Sequence, residues 1–491
     1  MSAAAPRRLI VGPFNRVEGD LEVRLDMADG AVREARVTAP LYRGFEAMLV
    51  GKPAADALVY APRICGICSV SQSVAAARAL GGVRPAGEAR RSPPPNGTLA
   101  INLVHAIENL ADHLTHFYVF FMPDFARATY AQEPWHAAAA ARFAAITGTA
   151  SAEALPARAG LMAMLGILAG KWPHTLAIQP FGSTRAVSRA EIVRLRMMLG
   201  GFRGFLESTL FGAPLERIAE LASQDALQAF ADAGGGGDFG HFLRISRALD
   251  LASLGRTAIR HMSFGAYGSP DGPLFARGVF HAATGQASAL AVEAIAEDVS
   301  HGWYAGEGGA PTGGMPVPDA EKPDAYSWCK APRLGGEVAE VGALSRQLVT
   351  GNPLLRDLVA RGGAGVEARV VARLVELALV VPAMERWLAA IDAEALFRDV
   401  TPVAPSGSGM GLTEAARGSL GHWLRLEGGR IAHYQIVAPT TWNFSPRDAN
   451  GTPGPLEQAL VGAPLRAGET EPVSVQHIVR SFDPCMVCTV H

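Results

Sequence analysis

Cysteine is scarce in this sequence, with 5 in 491 residues. So few thiols in so long a chain do not form a disulfide framework, and paired thiols in a reducing compartment more often bind metal or do redox chemistry. Charge is also sparse, with 18% charged residues and a formal net charge of -2. The lysines and arginines are scattered, so no basic stripe indicates a nucleic-acid partner and no polybasic helix indicates a membrane surface.

Long apolar segments are lacking as well. No apolar stretch follows the basic residues of Met1 to Arg8, which excludes a typical secretory signal there. The most apolar run, Ala159 to Gly170, is too short to span a bilayer. No repeat of fixed period and no charged linker divides the chain. Apolar residues make up 49% of the sequence, enough for a large core, and we expect a soluble protein with one interlocked domain over residues 1–491.

The hydrophobic pattern predicts a mainly α protein with a long-helix bundle core and small peripheral β-sheets. An N-terminal β-hairpin region is expected at about 9–38, because the flanking residues alternate and Asp29-Gly30 is a hairpin turn signal. Helical periodicity covers residues 96–121, 188–222, 340–360 and 367–391, with a kink expected at Pro382. Short strands are predicted at 275–284 and 430–437.

Four of the five cysteines form two Cys-x-x-Cys pairs at opposite ends of the chain. Arg63-Ile-Cys-Gly-Ile-Cys68 carries the first pair, and a C-terminal metal-binding tail at about 472–491 carries Cys485 and Cys488. Four thiolates suit a tetrahedral S4 site or a binuclear site with two bridging sulfurs. Structural zinc and a single iron–sulfur cluster remain alternatives, although zinc ribbons usually hold both pairs within one short segment.

Other segments concentrate ionisable residues, and each has an ordinary structural interpretation. Glu18 could pair with Arg16 in a turn, and Glu46 could pair with Arg43. Three further groups have the same ambiguity: Asp112-His113-Leu-Thr-His116, Tyr326-Ser-Trp-Cys-Lys-Ala-Pro-Arg333 and Ala416-Arg417 through His422-Trp423. Only their occurrence together with the four cysteines favours a functional site.

Taken in order, these motifs resemble those of the large subunit of nickel–iron hydrogenases over nearly the full length of the chain. The two cysteine motifs match, as do Asp112-His-Leu-Thr-His-Phe-Tyr118, Tyr326 to Arg333, and Pro439-Thr-Thr-Trp-Asn443 with Ser445-Pro-Arg-Asp448. The resemblance implies the fold of that subunit and an enzyme that cleaves dihydrogen heterolytically and reversibly.

The resemblance also implies ligands for a nickel–iron centre. Cys65 and Cys485 would bind nickel terminally, while Cys68 and Cys488 would bridge nickel to an iron that carries carbonyl and cyanide ligands. Sulfur donors suit such a soft, redox-active site. The metals then supply the difficult chemistry, and the protein positions and tunes them.

Four charged residues are implied as catalytic by the same resemblance. Glu18 matches the proton-relay glutamate. Arg417 matches an arginine poised over the metals, with Asp112 and Asp483 as the carboxylates that hold its guanidinium. Family members normally have proline before this arginine, and Ala416 stands here instead, which is expected to loosen the position of Arg417.

A second, hard-cation site is implied as well, usually for magnesium. Its ligands would be Glu46, the C-terminal His491 and the main-chain carbonyl of Gln476. Oxygen ligands suit magnesium, whereas histidine is a less usual ligand for it.

Three departures from the usual enzyme favour the regulatory, hydrogen-sensing branch. Gln72 replaces a histidine four positions after the second N-terminal cysteine, so a side chain that does not titrate stands there. Asp20 replaces another histidine, and the sequence ends at His491, where most members carry a removable extension; either the chain is a mature one or no extension is encoded. Such sensors turn over slowly, signal to a histidine kinase and are cytoplasmic. An uptake hydrogenase of energy metabolism is the alternative.

The cysteine count predicts a partner. After four metal ligands only Cys329 remains, too few for an iron–sulfur cluster in this chain, and Cys329 is expected to be a buried apolar residue. Electrons therefore require a small subunit that bears clusters, in a heterodimer or a dimer of heterodimers. Two other possibilities are a non-catalytic structural subunit descended from hydrogenases, which typically lacks the cysteines, and a zinc-stabilised scaffold.

Overall fold

The computed structural model describes residues 7–84, 91–269, 272–466, 469, 472–489 and 491. The described chain is mainly helical, as predicted. Its α-helices are α1 Phe45–Leu49, α2 Ala57–Tyr60, α3 Ser69–Gly81, α4 Pro95–Thr115, α5 His136–Phe143, α6 Thr149–Ala169, α7 Arg189–Phe205, α8 Leu215–Ala219, α9 Gln224–Asp232, α10 Gly237–Leu249, α11 Ala343–Thr350, α12 Pro353–Gly362, α13 Val366–Ala390, α14 Pro439–Asn443, α15 Pro455–Leu460, α16 Val473–Ser481 and α17 Met486–Thr489.

The strands form small sheets around these helices. They are β1 Arg7–Val11, β2 Glu22–Ala28, β3 Ala31–Thr38, β4 Ile178–Gln179, β5 Gly182–Ser183, β6 Arg260–Ala266, β7 Phe275–His281, β8 Gln286–Ser288, β9 Ile295–Asp298, β10 Tyr304–Ala305, β11 Val317–Pro318, β12 Ala331–Leu334, β13 Ala339–Glu340, β14 Gly407–Ala415, β15 Gly418–Glu427 and β16 Arg430–Val437. The larger sheets have the strand orders β1-β2-β3, β13-β6-β7-β8 and β14-β15-β16. The predicted turn is present, with Asp29 and Gly30 both in the left-handed region between β2 and β3.

The long helices pack on one another in the middle of the molecule. Helix α4 contacts both α6 and α13, and α6 also contacts α7. The largest apolar core of the described residues extends from Val11 to Cys488, and it includes all five cysteine side chains. Both ends of the sequence therefore contribute to one core, which is what the separated cysteine pairs require.

Two of the predicted helices are divided in the structure. The segment expected at 340–360 becomes α11 and α12, because Gly351 adopts a φ of 97° and Asn352 caps the helix that Pro353 begins. In the segment expected at 188–222, α7 ends at Phe205 and a π-helical turn continues to Leu210. Gly212 then has a φ of 59°, and Pro214 is the N-cap residue of α8. Helix α13 runs through Pro382 as one element. In the two divided segments, glycine and proline thus ended the helices although the apolar periodicity continues.

The hairpin β14–β15 was not predicted, because β14 is rich in glycine. Two of those glycines allow α3 to lie directly on the strand. A Cβ at Gly409 would come within 2.0 Å of the Ala79 carbonyl oxygen, and one at Gly411 within 1.9 Å of the Ala75 carbonyl oxygen. This close packing fixes the helix that follows Cys68 against the hairpin that carries Arg417.

Helix α6 is longer than its most apolar run suggested. It has 21 residues and a mean hydropathy of 1.3 in its most apolar window, and it is the one helix of the described chain long and apolar enough to cross a membrane. Only 33% of that window is buried. One such helix is weak evidence for a membrane span, since a helix that packs on its neighbours in a soluble protein passes the same test.

Candidate metal centre

The four paired cysteines meet at one point, as the sequence predicted. The Sγ atoms are 3.4 Å apart between Cys65 and Cys485, 3.1 Å between Cys68 and Cys488, and 3.2 Å between Cys485 and Cys488. All four lie within 4.8 Å of one another and are buried, and the described residues contain no other such cluster of metal-ligating side chains. Neighbouring thiols that donate to its sulfur lower the pKa of Cys65 well below that of a free thiol.

The first pair is held by the start of α3. Cys68 is the N-cap residue of this helix, and its thiol makes no capping bond. The buried Glu108 of α4 supplies the cap instead, because its carboxylate accepts hydrogen bonds from the backbone N–H groups of Val70 at 2.8 Å and Ser71 at 2.9 Å. Burial raises the pKa of Glu108 to about 7. A helix N-terminus favours a nearby anion, so this arrangement also suits thiolate ligands.

The second pair is tied to the N-terminal segment through the backbone. Met486 N–H donates to the Glu18 carbonyl at 2.7 Å, and Glu18 N–H donates to the Pro484 carbonyl at 3.4 Å. The hydroxyl of Thr440 accepts from Cys485 N–H at 3.1 Å. These contacts set Glu18 beside Cys485.

Arg16 and Arg43 do not form the ion pairs with Glu18 and Glu46 that the sequence suggested. Arg16 binds Asp124 rather than Glu18. Arg43 donates to the Ile64 carbonyl at 2.5 Å and to the Val487 carbonyl at 3.2 Å. Ile64 precedes Cys65, and Val487 lies between Cys485 and Cys488, so Arg43 joins the two cysteine motifs.

Arg417 is buried between the two predicted aspartates. Its Nε donates to the Asp483 carbonyl at 2.9 Å and its Nη2 to Asp483 Oδ1 at 3.1 Å, while Nη1 lies 2.8 Å from Asp112 Oδ2. Burial raises the pKa of Asp112 to about 8, although Arg417 acts in the opposite direction. For Asp483 burial again opposes ionisation, but Arg417 acts together with His116, Arg373 and His113, and their combined effect lowers the pKa. Asp483, with two contacts, therefore carries the charge that pairs with Arg417.

The Glu18 carboxyl has a raised pKa. Burial is the main cause, and the Cys65 and Asp483 charges add to it, whereas Arg417 acts in the opposite direction. A carboxyl that lies beside a cysteine ligand and holds its proton more tightly than usual is suited to accept a proton and release it again.

A small cavity lies against three of the four sulfurs. Ala415, Ala416, Arg417, Leu420, Pro439, Thr440 and Gln72 line it together with Cys68, Cys485 and Cys488. One buried donor at this cavity, Gln72 Nε2, has no hydrogen-bond partner among the described residues. Buried donors in folded proteins almost always have partners. The site therefore fits a metal group that brings its own hydrogen-bond acceptors into the cavity.

The Gln72 amide is oriented from behind by a pair of aromatic residues. His422 Nε2 lies 2.8 Å from Gln72 Oε1, and His422 Nδ1 lies 2.8 Å from the Tyr434 hydroxyl. Burial lowers the pKa of His422 to about 3, so the ring is neutral and carries one N–H. With Nε2–H donating to Gln72 and Nδ1 accepting from Tyr434, the amide NH₂ of Gln72 faces the cavity.

The proposed hard-cation ligands are only partly brought together. His491 Nε2 lies 3.4 Å from Glu46 Oε1 and 2.6 Å from the carbonyl oxygen of Ile436. Gln476 has no contact with either side chain: it lies on α16, and its Oε1 accepts from Arg127 and Arg480. The Gln476 carbonyl stays a prediction, and the backbone oxygen that the structure brings to His491 is that of Ile436. The order of residues before the C-terminal motif gave no signal for this choice.

Lys330 completes this second cluster. Its Nζ lies 3.0 and 3.1 Å from the two carboxylate oxygens of Glu46 and 3.4 Å from Glu297. Burial opposes the charge on Glu46, but Lys330 and His491 outweigh it and lower the pKa to about 2. The remaining cysteine, Cys329, is fully buried and its pKa is raised by burial, as expected for an apolar role.

Comparison with known proteins agrees with this geometry over the whole chain. The family model described as "Nickel-dependent hydrogenase" matches residues 43–155 and 149–491. The chain is 28% identical to the periplasmic [NiFeSe] hydrogenase large subunit of Desulfomicrobium baculatum, over 99% of this chain and 95% of that protein. It is 26% identical to the hydrogenase-2 large chain of Escherichia coli (strain K12), over 99% and 97% respectively.

Solved structures give the same result. The Ni-Fe-Se hydrogenase of D. vulgaris Hildenborough in the reduced state matches with a TM-score of 0.84 and 28% identity, covering 99% of this chain and 100% of that one. The [NiFeSe]-hydrogenase of Dm. baculatum matches with a TM-score of 0.85 and 26% identity, over 99% and 100%. The mainly α fold and the convergence of both ends of the chain are thus those of these large chains.

Proposed function

This chain belongs to the nickel-dependent hydrogenase family and is the large, active-site subunit of a nickel–iron hydrogenase, and we propose from this the role of each residue at its centre. Cys65 and Cys485 would hold nickel, and Cys68 and Cys488 would hold both nickel and iron. The division follows the family motifs, and the cavity offers space for iron beside Cys68 and Cys488, which line it together with Cys485. Bound there, the metal pair supplies the heterolytic cleavage of dihydrogen.

The protein's part is to orient the centre and to move the proton. Gln72 presents an unpaired amide N–H to the cavity, which Arg417 also lines, and this suits carbonyl and cyanide ligands on the iron. Glu18 accepts the proton from the neighbouring cysteine sulfur, and its raised pKa lets it hold that proton before passing it on. Asp112 and Asp483 keep Arg417 in place.

The electrons leave through a separate subunit with iron–sulfur clusters. Four of the five cysteines are in the metal centre, and Cys329 is a single buried thiol, so this chain has no ligand set for a cluster of its own. Glu46, His491 and the Ile436 carbonyl are proposed ligands of a magnesium ion, with three oxygen or nitrogen donors already adjacent.

The convergence of four sulfurs, three of them beside a small cavity that also receives the unpaired Gln72 N–H, carries this proposal, and metal analysis tests it. The purified complex should contain nickel and iron in equal amounts and show infrared bands of iron-bound carbonyl and cyanide. Zinc alone, without such bands, would refute the nickel–iron assignment. Magnesium measured in the same sample tests the second site separately.

For the physiological role of this hydrogenase we propose hydrogen sensing, and hydrogen uptake is the alternative. Gln72 favours sensing, because its hydrogen bond to a neutral His422 leaves no titratable group at that side of the cavity. In such a role the complex would be cytoplasmic, turn over slowly and pass its signal to a histidine kinase. The Gln72→His variant discriminates: a changed signalling response or oxygen sensitivity supports the sensor, and parent behaviour in both makes Gln72 incidental.

A further inference from the structure

A second buried arginine lies directly behind the turn that carries Arg417. Arg346 of α11 is 1% exposed and uses all five of its N–H donors. It binds Glu376 at 2.7 and 2.8 Å, Glu414 at 3.3 Å, the Ala415 carbonyl at 3.0 Å and the Ala416 carbonyl at 3.1 Å. Two of these acceptors are the backbone carbonyls immediately before Arg417.

The turn itself is of a kind that a hairpin does not favour. Ala415 and Gly418 pair across β14 and β15, which leaves Ala416 and Arg417 as a two-residue loop. Such loops favour left-handed φ values at the central positions, but neither Ala416 nor Arg417 has a positive φ. This conformation is instead accommodated by Gly418, whose φ is 127°, and held by the hydrogen bonds from Arg346.

We propose that Arg346 is the positioning residue for Arg417. By holding the carbonyls of Ala415 and Ala416 on one side of the turn, it directs the Arg417 side chain to the opposite side, toward the cysteines. This inference rests on the proposed function, since it assigns Arg346 a role through the arginine that faces the metal centre.

The network also accounts for Ala416, which replaces the usual proline. A proline would fix the turn by limiting φ, and Arg346 fixes it through hydrogen bonds instead. Glu376 and Glu414 secure Arg346 in turn: both are fully buried, Arg346 and His113 lower the pKa of Glu376 to about 2 despite its burial, and Glu414 Oε1 is held by the Phe264 N–H at 2.8 Å.

The test replaces Arg346 by lysine in the whole complex. Lysine keeps the charge but has three donors, so it cannot hold both carbonyls and both carboxylates. We expect nickel to remain bound and the infrared bands of the iron ligands to shift. The exchange of dihydrogen with solvent deuterons should fall about 10- to 100-fold, the usual range for residues that orient a metal site. Adding Ala416→Pro to this variant should move the bands back toward the parent.

Arg333→Lys is the matched control. Arg333 is also buried and binds Asp448 at 2.8 Å together with several carbonyls, but it does not contact the turn. It should lower the melting temperature without moving the infrared bands. Parent bands in Arg346→Lys would overturn the proposal, even if the melting temperature falls.

A crystal structure tests the inference independently of the metals. In Arg346→Lys the Arg417 Nε should leave the Asp483 carbonyl, now 2.9 Å away, and an unmoved guanidinium would contradict our proposal. If Arg346→Lys does not fold, Ala416→Gly loosens the same turn and should shift Arg417 likewise. Absence of carbonyl and cyanide bands in the parent refutes the proposed function instead, and the crystal structure still decides the role of Arg346.

Discussion

Gln72 and His422 are joined by a hydrogen bond of 2.8 Å between the amide oxygen and ring Nε2. The contact connects α3, which begins beside Cys68, to the middle of β15. It uses the amide oxygen of Gln72, so only its NH₂ group remains for the cavity at the cysteines. A side chain that departs from the usual histidine thus keeps a donor at this position and loses the ability to titrate.

Replacing Gln72 by leucine should remove this donor while the metals stay bound. We expect the carbonyl and cyanide bands to shift, because a donor to the iron ligands is lost. The unpaired His422 N–H should also destabilise the fold by about 1 to 3 kcal/mol. Gln458→Leu is the control, since Gln458 donates to the Pro453 carbonyl instead. Unchanged bands in Gln72→Leu would show that the amide does not reach the centre.

Replacing Glu18 by glutamine should largely abolish the exchange of dihydrogen with solvent deuterons and leave nickel and iron in place. The carboxylate is the proton-accepting form, so exchange in the parent should rise with pH, with a midpoint above the ordinary glutamate value of 4.5 because burial raises the pKa. The Glu22→Gln variant, altered on the adjacent strand β2, should exchange at the parent rate. Unimpaired exchange in Glu18→Gln would rule out the relay role.

Replacing Glu108 by alanine should weaken both the fold and the metal site. The loss of a helix cap costs about 1 to 2 kcal/mol, and the start of α3 beside Cys68 becomes less ordered. We expect a lower melting temperature and a reduced nickel content. Glu191 provides the comparison, because it caps α7 in an exposed capping box with Ser188. Equal nickel loss in Glu108→Ala and Glu191→Ala would indicate a general stability effect.

Replacing Glu46 by glutamine should leave the Lys330 ammonium with only Glu297 as a carboxylate partner. Breaking a buried pair costs about 3 to 5 kcal/mol, which thermal unfolding at neutral pH would detect. The folded-state pKa is lowered to about 2, so the stabilisation is present above the ordinary value of 4.5 and is lost as the pH falls toward 2. The difference between variant and parent should shrink over that range. Glu34→Gln, which alters an exposed pair with Arg36, should show no such difference, and a gap that persists at pH 2 would contradict the assignment.

Sequence reasoning was most successful where the evidence is local. The spacing of the cysteines, the Asp29-Gly30 turn and the helical periodicity of α4 and α13 each depend on a few neighbouring residues. It failed to predict β14, because glycine is disfavoured in strands. Gly409 and Gly411 are nevertheless the residues that allow α3 to lie close to this strand. It also missed the Ile436 carbonyl beside His491, because no local pattern distinguishes one backbone carbonyl from another.

By itself, the sequence determined that the protein holds a thiolate site for a soft metal, because two chelating pairs of thiols restrict the metals that can bind, and the order of its motifs implied the hydrogenase family. The tertiary structure alone decided how those ligands are supported. The Glu108 cap, the Ile436 carbonyl beside His491 and the Arg346 contact with the turn join residues that are distant in the chain. Such pairings arise only when helices and sheets pack, since the free energy that selects them comes from burial and satisfied hydrogen bonds rather than from sequence spacing.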